Sequence, residues 1–414
     1  MGAHKTPEFT EEEITVGPKA ASLMKVCYIV GAIALGISVY LGQTHDDHWK
    51  GFLYSYLVGF MYVLSIGLGT LFFVTLQHLT RAGWSVVIRR QAEFIAAALP
   101  VMFVLFLPIL VSTLMGSHSL FTWNDHELAK TDHFLHVKEP YLNVGFFTVR
   151  ALFFFAFWSV LAWFMLKISL KQDAKSDNAL TNLRENVSAP AMIFFALTLT
   201  FAAVDYIMAL NYHWISTMIG VYYFAGAFMS CMAVLSIVHL TIQGNGKLNG
   251  LVTQEHYHDM GKLLFGFVFF WGYIGFSQFM LIWYANMPEG TDWFQVRTHG
   301  EWETYTRVLI AGHFFIPFVG LISRHAKRRV KILKFWAFWL LAMQWMDIYY
   351  FVMPNAAGHG HGNIEVIPWS LMDLTCTIGI AGIFAGTVFM IARGKKMVPV
   401  NDPRLPQCLS HEVM

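Results

Sequence analysis

Ten apolar stretches, each long enough to cross a bilayer, set the terms for everything else in this sequence. They run over residues 23–42, 52–77, 92–115, 142–168, 190–211, 216–242, 262–285, 305–324, 331–353 and 369–392. About 20 residues of helix, at ~1.5 Å each, span the ~30 Å of a hydrocarbon core. Inside that core every backbone N–H and C=O needs an internal partner, and a helix supplies one within each segment. The expectation is an all-α integral membrane protein of about ten transmembrane helices. Charged residues make up 13% of the 414-residue chain and hydrophobic ones 56%, whereas soluble domains carry about 25% charged residues. Water-soluble classes are thereby excluded. The net charge of +2 lies in loops between spans, so no nucleic-acid surface is expected.

Lys and Arg set the orientation. With ten spans, both tails and the loops after spans two, four, six and eight share one side, and nearly all basic residues fall there. The opposite side has only Lys50, Lys130, Lys138 and Arg297, with Arg150 and Arg307 in or at spans. By the positive-inside rule both termini are cytoplasmic. The first 22 residues lack the apolar core of a secretory signal. Cys27, Cys231, Cys376 and Cys408 form no CxxC or CxxCH pattern, so neither an iron–sulfur cluster nor a covalent haem is expected on this chain. His45-Asp-Asp-His48 and His359-Gly-His361 have metal-binding spacing, but they are read as solvated or partner-facing outer-loop residues in preference to metal ligands.

A faint repeat divides the chain. At an offset of 161, Ser55, Gly59 and Tyr62 match Ser216, Gly220 and Tyr223, and His78-Leu-Thr matches His239-Leu-Thr. This predicts a cytoplasmic tail (1–22), a flanking span and outer loop (23–50), two four-helix units in one orientation (51–215 and 216–355), a second outer loop and flanking span (356–392) and a cytoplasmic tail (393–414). Parallel repeats of this kind occur in membrane proteins.

An ionisable side chain inside a span is costly unless paired, and it usually marks function. Arg150, Asp205, His313, Asp347 and Asp373 fall at similar depth in spans four, five, eight, nine and ten, all toward the outer side. Two readings follow. Arg150 and one acid form a buried pair while the rest bond to neighbouring helices, or the group lines a pocket that exchanges protons. Toward the cytoplasm, Glu93, His78 and His239 are candidates for proton uptake; at helix ends such residues are more usually wetted interface groups. Between the tiers lie only Ser65, Thr70, Thr198, Ser277 and Gln278. His78 and His239 sit too near the membrane edge, and His313 lacks a partner at its depth, so a transmembrane haem is not expected.

The run from Asp205 to Tyr222 (DYIMALNYHWISTMIGVY) resembles the junction of the fifth and sixth spans in the NrfD-like, polysulfide-reductase-type membrane family. The resemblance continues through Phe276–Glu289 (FSQFMLIWYANMPE), His313–Phe318 (HFFIPF), Ser323–Lys327 (SRHAK) and Asp347–Pro354 (DIYYFVMP). Within the family the chain is most similar to the F-type subunits of alternative complex III, a bacterial quinol oxidoreductase. The resemblance implies two four-helix bundles with two flanking helices in the bacterial cytoplasmic membrane. It implies partners: a cluster-bearing periplasmic protein, haem c proteins and a second NrfD-like subunit, which hold the haem c and iron–sulfur clusters. It also implies a subunit without a redox centre of its own that supports proton translocation or assembly. Asp205, Asp347 and His313 are then assigned to proton handling, with Arg150 and Asp373 as lesser members. A second reading places a quinone in the outer-half pocket, next to a neighbouring cluster. A third, a secondary transporter, predicts a mid-membrane site between the repeats.

Overall fold

The computed structural model describes residues 10–44, 49–286, 288–357 and 366–412, without the side chains of His126, Pro288 and Glu289. The His45–His48 and His359–His361 candidates lie outside the described residues. The chain is an all-helical integral membrane protein. Nine helices are long and apolar enough to span a bilayer among the described residues: α1 Lys19–Thr44, α2 Lys50–Leu79, α3 Val86–Leu114, α4 Val144–Gln172, α5 Asn178–Leu210, α6 Ile219–Gly244, α7 Gln254–Ala285, α8 Gly300–Ile322 and α10 Leu371–Ala392. Between the last two runs α9, Val330–Val352, 23 residues long. It matches the others in length but carries Lys331, Lys334, Gln344 and Asp347, which lower its hydropathy.

At the centre α2 packs on α6, α6 on α9, and α2 on α5, while α1 and α10 pack on each other and on α2. The repeated glycines explain part of this. A Cβ on Gly59 would fall 2.8 Å from Cα of Thr377 in α10, and one on Gly220 would fall 2.8 Å from Cα of Thr200 in α5. Each lets a second backbone approach closely, the usual role of small residues between membrane helices. The flanking pair uses the same device, since a Cβ on Gly382 would lie 2.8 Å from Cα of Gly31.

Helix ends follow local chemistry. Asn143 and Asp177 cap α4 and α5 through the amides of Phe146 and Ala179, and Ser370 caps α10 through that of Met372. Such caps satisfy amides that the helix leaves unpaired. The loop 116–141, between α3 and α4, contains two short helices capped by Asp125 and Asp132. Burial would raise the Asp132 carboxyl. Hydrogen bonds from Tyr212 and from the Leu135 and Phe134 amides, with His213 nearby, hold it below the ordinary carboxylate range.

Two span boundaries differ from the sequence reading. The turn expected at Asn211–Ile215 is longer: the α-helical part of α5 ends at Tyr206, a 3-10 turn follows over Met208–Leu210, and α6 begins at Ile219. Span three starts at Val86, well before residue 92, and is interrupted between Ala96 and Leu99. A third departure is a π-helical turn at Ala311–Phe315 inside α8.

Both tails lie on one face. The Val16 amide donates to the Lys395 carbonyl and the Met397 amide to that of Ile14. Lys247, after α6, reaches the carbonyls of Glu12 and Thr15. The Asn401 side chain donates to the Asp173 carbonyl after α4, and Arg404 pairs with Glu185, two turns into α5. Tails and even-numbered loops therefore share one face, the tail face.

Candidate functional site

The five far-half residues do not form one pocket. Arg150, on α4, grips Asp205, on α5, with two charge-assisted bonds: Nε to Oδ2 at 2.8 Å and Nη2 to Oδ1 at 3.0 Å. The fork geometry makes this a strong, oriented pair. The Tyr141 hydroxyl donates to Asp205 Oδ1 at 2.9 Å, and the guanidinium stacks over the Tyr141 ring at 3.9 Å. Tyr141, Tyr212 and Lys138 also line a cavity of about 230 Å³ on this side.

Asp347, on α9, is 2% exposed. Among the described residues no Lys, Arg or His nitrogen lies within ion-pair distance of it. Instead the Tyr222 hydroxyl of α6 donates to Oδ1 at 2.8 Å and the Trp271 indole of α7 to Oδ2 at 3.1 Å. His313 packs on Trp271, ring centroids 3.9 Å apart. It is fully buried with neither ring nitrogen in a well-formed hydrogen bond, and the Gln344 side chain faces it. Neither polar end of Gln344 makes a well-formed hydrogen bond among the described residues. Gly226 makes room for that amide, since a Cβ there would come within 2.3 Å of its oxygen. Buried polar atoms left open in this way are the ones that ordered water normally satisfies. The π turn sets up the arrangement: it widens α8 at His313 and exposes the Gly312 carbonyl, which accepts from the Trp339 indole at 2.7 Å. Single π turns inside α-helices occur often at functional positions.

Tyr222 and Trp271 have a second face. Both line a cavity of about 610 Å³ that also touches Gln278, Phe276, Ile310 and Phe315. The Gln278 amide nitrogen is buried without a hydrogen-bond partner among the described residues.

Asp373 is separate again. It accepts from the Ser55 hydroxyl at 2.6 Å and from the Ser370 amide at 2.9 Å, closing the capping box of α10. This geometry ties α10 to α2, a helix-anchoring role.

At the tail face, Glu93, His78 and His239 are not wetted interface groups, which corrects that reading. They are 1%, 0% and 0% exposed. Span three begins earlier than its hydropathy suggests, so Glu93 lies a full two turns inside it. Around it is an ionic network. Arg89 and Arg90 lie 3.4 and 3.3 Å from Glu93, Arg89 bonds Asp402 at 2.5 Å, Arg90 bonds Asp173 at 2.7 Å, and Arg184 lies 3.6 Å from Asp402. Both His78 nitrogens lack hydrogen bonds among the described residues, whereas His239 bonds the Leu235 carbonyl of its own helix. Asp402, in the tail, is pushed up by burial but held below the ordinary carboxylate range by Arg89, the Arg404 amide and Arg184.

Between the tiers, Ser65, Thr70 and Ser277 donate to carbonyls one turn back in their own helices, and Thr198 does so while accepting from Trp158. Of the intermediate candidates only Gln278 remains open. Sequence reasoning missed Tyr222, Trp271 and Gln344, all uncharged groups inside spans. The one available signal was their hydrogen-bonding capacity in segments where most residues have none. Among the described residues no group of three or more His, Cys, Asp or Glu side chains is placed to hold a metal ion. No protein-family model matches this chain, and no curated protein matches it.

Proposed function

We propose that this chain is a proton-handling membrane subunit of a quinol-oxidising complex, without a redox centre of its own, in a bacterial cytoplasmic membrane with both termini inside. The motif resemblance supports the choice of complex, and the positive-inside bias supports the orientation. The partners would be a cluster-bearing periplasmic protein, haem c proteins and a second NrfD-like subunit.

One observation carries the proton role: Asp347 is buried against two neutral donors and, among the described residues, no cation. An acid locked to a guanidinium, as Asp205 is to Arg150, can change charge only by leaving a buried cation unpaired, at a cost of several kcal/mol. Asp347 has no such lock. Its carboxylate form accepts bonds from Tyr222 and Trp271, and its acid form retains one oxygen that can still accept. His313 and Gln344 extend the polar track from Trp271 toward the tail face. There His78 and Glu93 stand at the other end of the bundle.

The test compares two variants in the assembled complex. Asp347→Asn should leave assembly unchanged and lower proton release per electron at least severalfold, with quinol turnover slowed. Proton release at the unaltered rate in assembled Asp347→Asn would overturn the reading. Asp205→Asn should act chiefly on stability. If it abolished proton release in a normally stable complex, the roles of the two acids would be reversed.

A further inference from the structure

We infer that the C-terminal segment Lys396–His411 is a hinged cover over a hydrated ionic chamber at the tail face, and that its opening sets how readily water reaches Glu93 and His78. The cover rests on geometry alone; only the part it would play in proton entry rests on the reading above.

The chamber consists of polar atoms that helix packing leaves open. Glu93 lies 3.4, 3.3 and 3.9 Å from Arg89, Arg90 and Arg184, yet neither of its oxygens makes a well-formed hydrogen bond among the described residues. The same holds for both nitrogens of His78, for Nε of each of the three arginines and for the Ser85 and Ser169 hydroxyls. All of these side chains belong to residues at most 1% exposed. Buried polar atoms in this state are normally completed by ordered water, which makes the cluster a wet chamber and not a dry core.

The C-terminal segment forms its outer wall. Asp402 bonds Arg89 at 2.5 Å and lies 3.6 Å from Arg184, while Arg90 and Gln91 donate to the Lys396 and Met397 carbonyls. Arg404 joins Arg89 and Arg184 as a charged neighbour of His78. The Cys408 thiol donates to the Trp84 carbonyl, and His411 closes on Asp259 in the second turn of α7.

Three features make this wall a cover. The chain leaves α10 through Gly394, at a φ of +69° that favours glycine, and Pro399, Pro403 and Pro406 keep the segment from becoming a continuous helix. Among the described residues, its one backbone–backbone bond to the rest of the chain runs from the Met397 amide to the Ile14 carbonyl. Buried ion clusters are seldom more stable than apolar packing of the same volume, and their best-attested uses are in register and switching. Opening withdraws Asp402 and Arg404 together, one acid and one base, so the chamber keeps its net charge and exchanges protein contacts for water. Val398 and Leu405, buried in the apolar core, define the closed position.

The test uses the full chain in phosphatidylcholine nanodiscs. Water access at His78 is read from its carbethoxylation by diethyl pyrocarbonate, mapped by peptide mass spectrometry. A Cβ on Gly83, in the turn between α2 and α3, would lie 2.9 Å from Cγ of Gln407. Gly83→Cys/Gln407→Cys, in a Cys408→Ser background, therefore pins the cover with a disulfide when oxidised. Oxidised, this protein should label at His78 roughly tenfold more slowly than when reduced, because the open state is removed. Asp402→Asn, which unties Arg89, should label roughly tenfold faster than the parent. His313, buried in the other half of the bundle, should stay unlabelled in every form, the sign that the protein is folded. Equal labelling of His78 in oxidised and reduced protein, or unchanged labelling in folded Asp402→Asn, would overturn the cover. No electron or proton flow enters this readout, so its failure is distinct from unaltered proton release in Asp347→Asn.

Discussion

Asp205 and Asp347 sit near the far ends of α5 and α9, and what faces each decides its part. Around Asp205 the Arg150 fork, the Tyr141 hydroxyl and the cation–π stack leave few lone pairs open. Arg150→Met removes the countercharge and should destabilise the protein by about 3–5 kcal/mol, because it strands a buried carboxylate. The double variant Arg150→Met/Asp205→Leu should recover much of that loss. Thermal unfolding in detergent checks both: an Arg150→Met protein as stable as the parent would remove the structural role from the pair. The candidate acids were legible in the sequence because a charge inside an apolar run stands out. Their partners were legible only in part: a buried pair between Arg150 and one acid was expected, and Asp205 is that acid, but which acid it would be was not readable. Arg150 and Asp205 are 55 positions apart and Tyr222 and Asp347 are 125 apart, and no hydropathy pattern says which side chains meet across helices. The same applies to Asp373, whose similar depth suggested a shared pocket and whose actual partner is Ser55.

Elements were far more legible than sites. Each span announces itself by length and apolarity, and the repeated Gly59 and Gly220 mark the places where a second backbone comes close. What the pattern could not show is how the ends are finished. The tail after α10 turns back and closes the tail face: Asp402 binds Arg89, Arg404 binds Glu185, and the Cys408 thiol donates to the Trp84 carbonyl. Read as sequence, 393–414 is a short polar tail; folded, it supplies an acid to a buried arginine cluster. Arg89 holds the Asp402 carboxyl below its ordinary range, so this contact adds stability at pH values above the unfolded carboxylate's pKa of about 3.9. That contribution is lost as pH falls through the lower folded value. Amide exchange over residues 397–409, corrected for intrinsic rates, should therefore show protection at pH 7 and pH 5 and release only in stronger acid. Asp402→Asn should release the segment already at pH 7. Protection unchanged in that variant would mean that the segment is held by its apolar contacts alone.

For the whole molecule, the tails and even-numbered loops touch one another on one face, as an even number of crossings requires. Yet the charge count that predicts which face is cytoplasmic mixes two kinds of residue. Arg89, Arg90 and Arg184 are 1%, 0% and 0% exposed and engaged with Glu93, Asp402 and Asp173. Arg324, Arg329, Lys331 and Lys334, around the turn between α8 and α9, are exposed. Only the second kind can remain at the lipid headgroups of the folded protein, although both count during insertion. A fluorescent protein fused after residue 412 should light up in cells. Alkaline phosphatase fused within 116–121 should be active, and after residue 412 inactive. The reverse pattern would invert the orientation while leaving the shared face intact. Arg89→Gln/Arg90→Gln should then separate the two kinds of charge: the reporters keep their pattern, because the exposed cluster still holds the orientation, while the yield of folded protein falls because Glu93 and Asp402 lose their partners. A changed reporter pattern with undiminished yield would show that these two arginines act in insertion and not in the folded bundle.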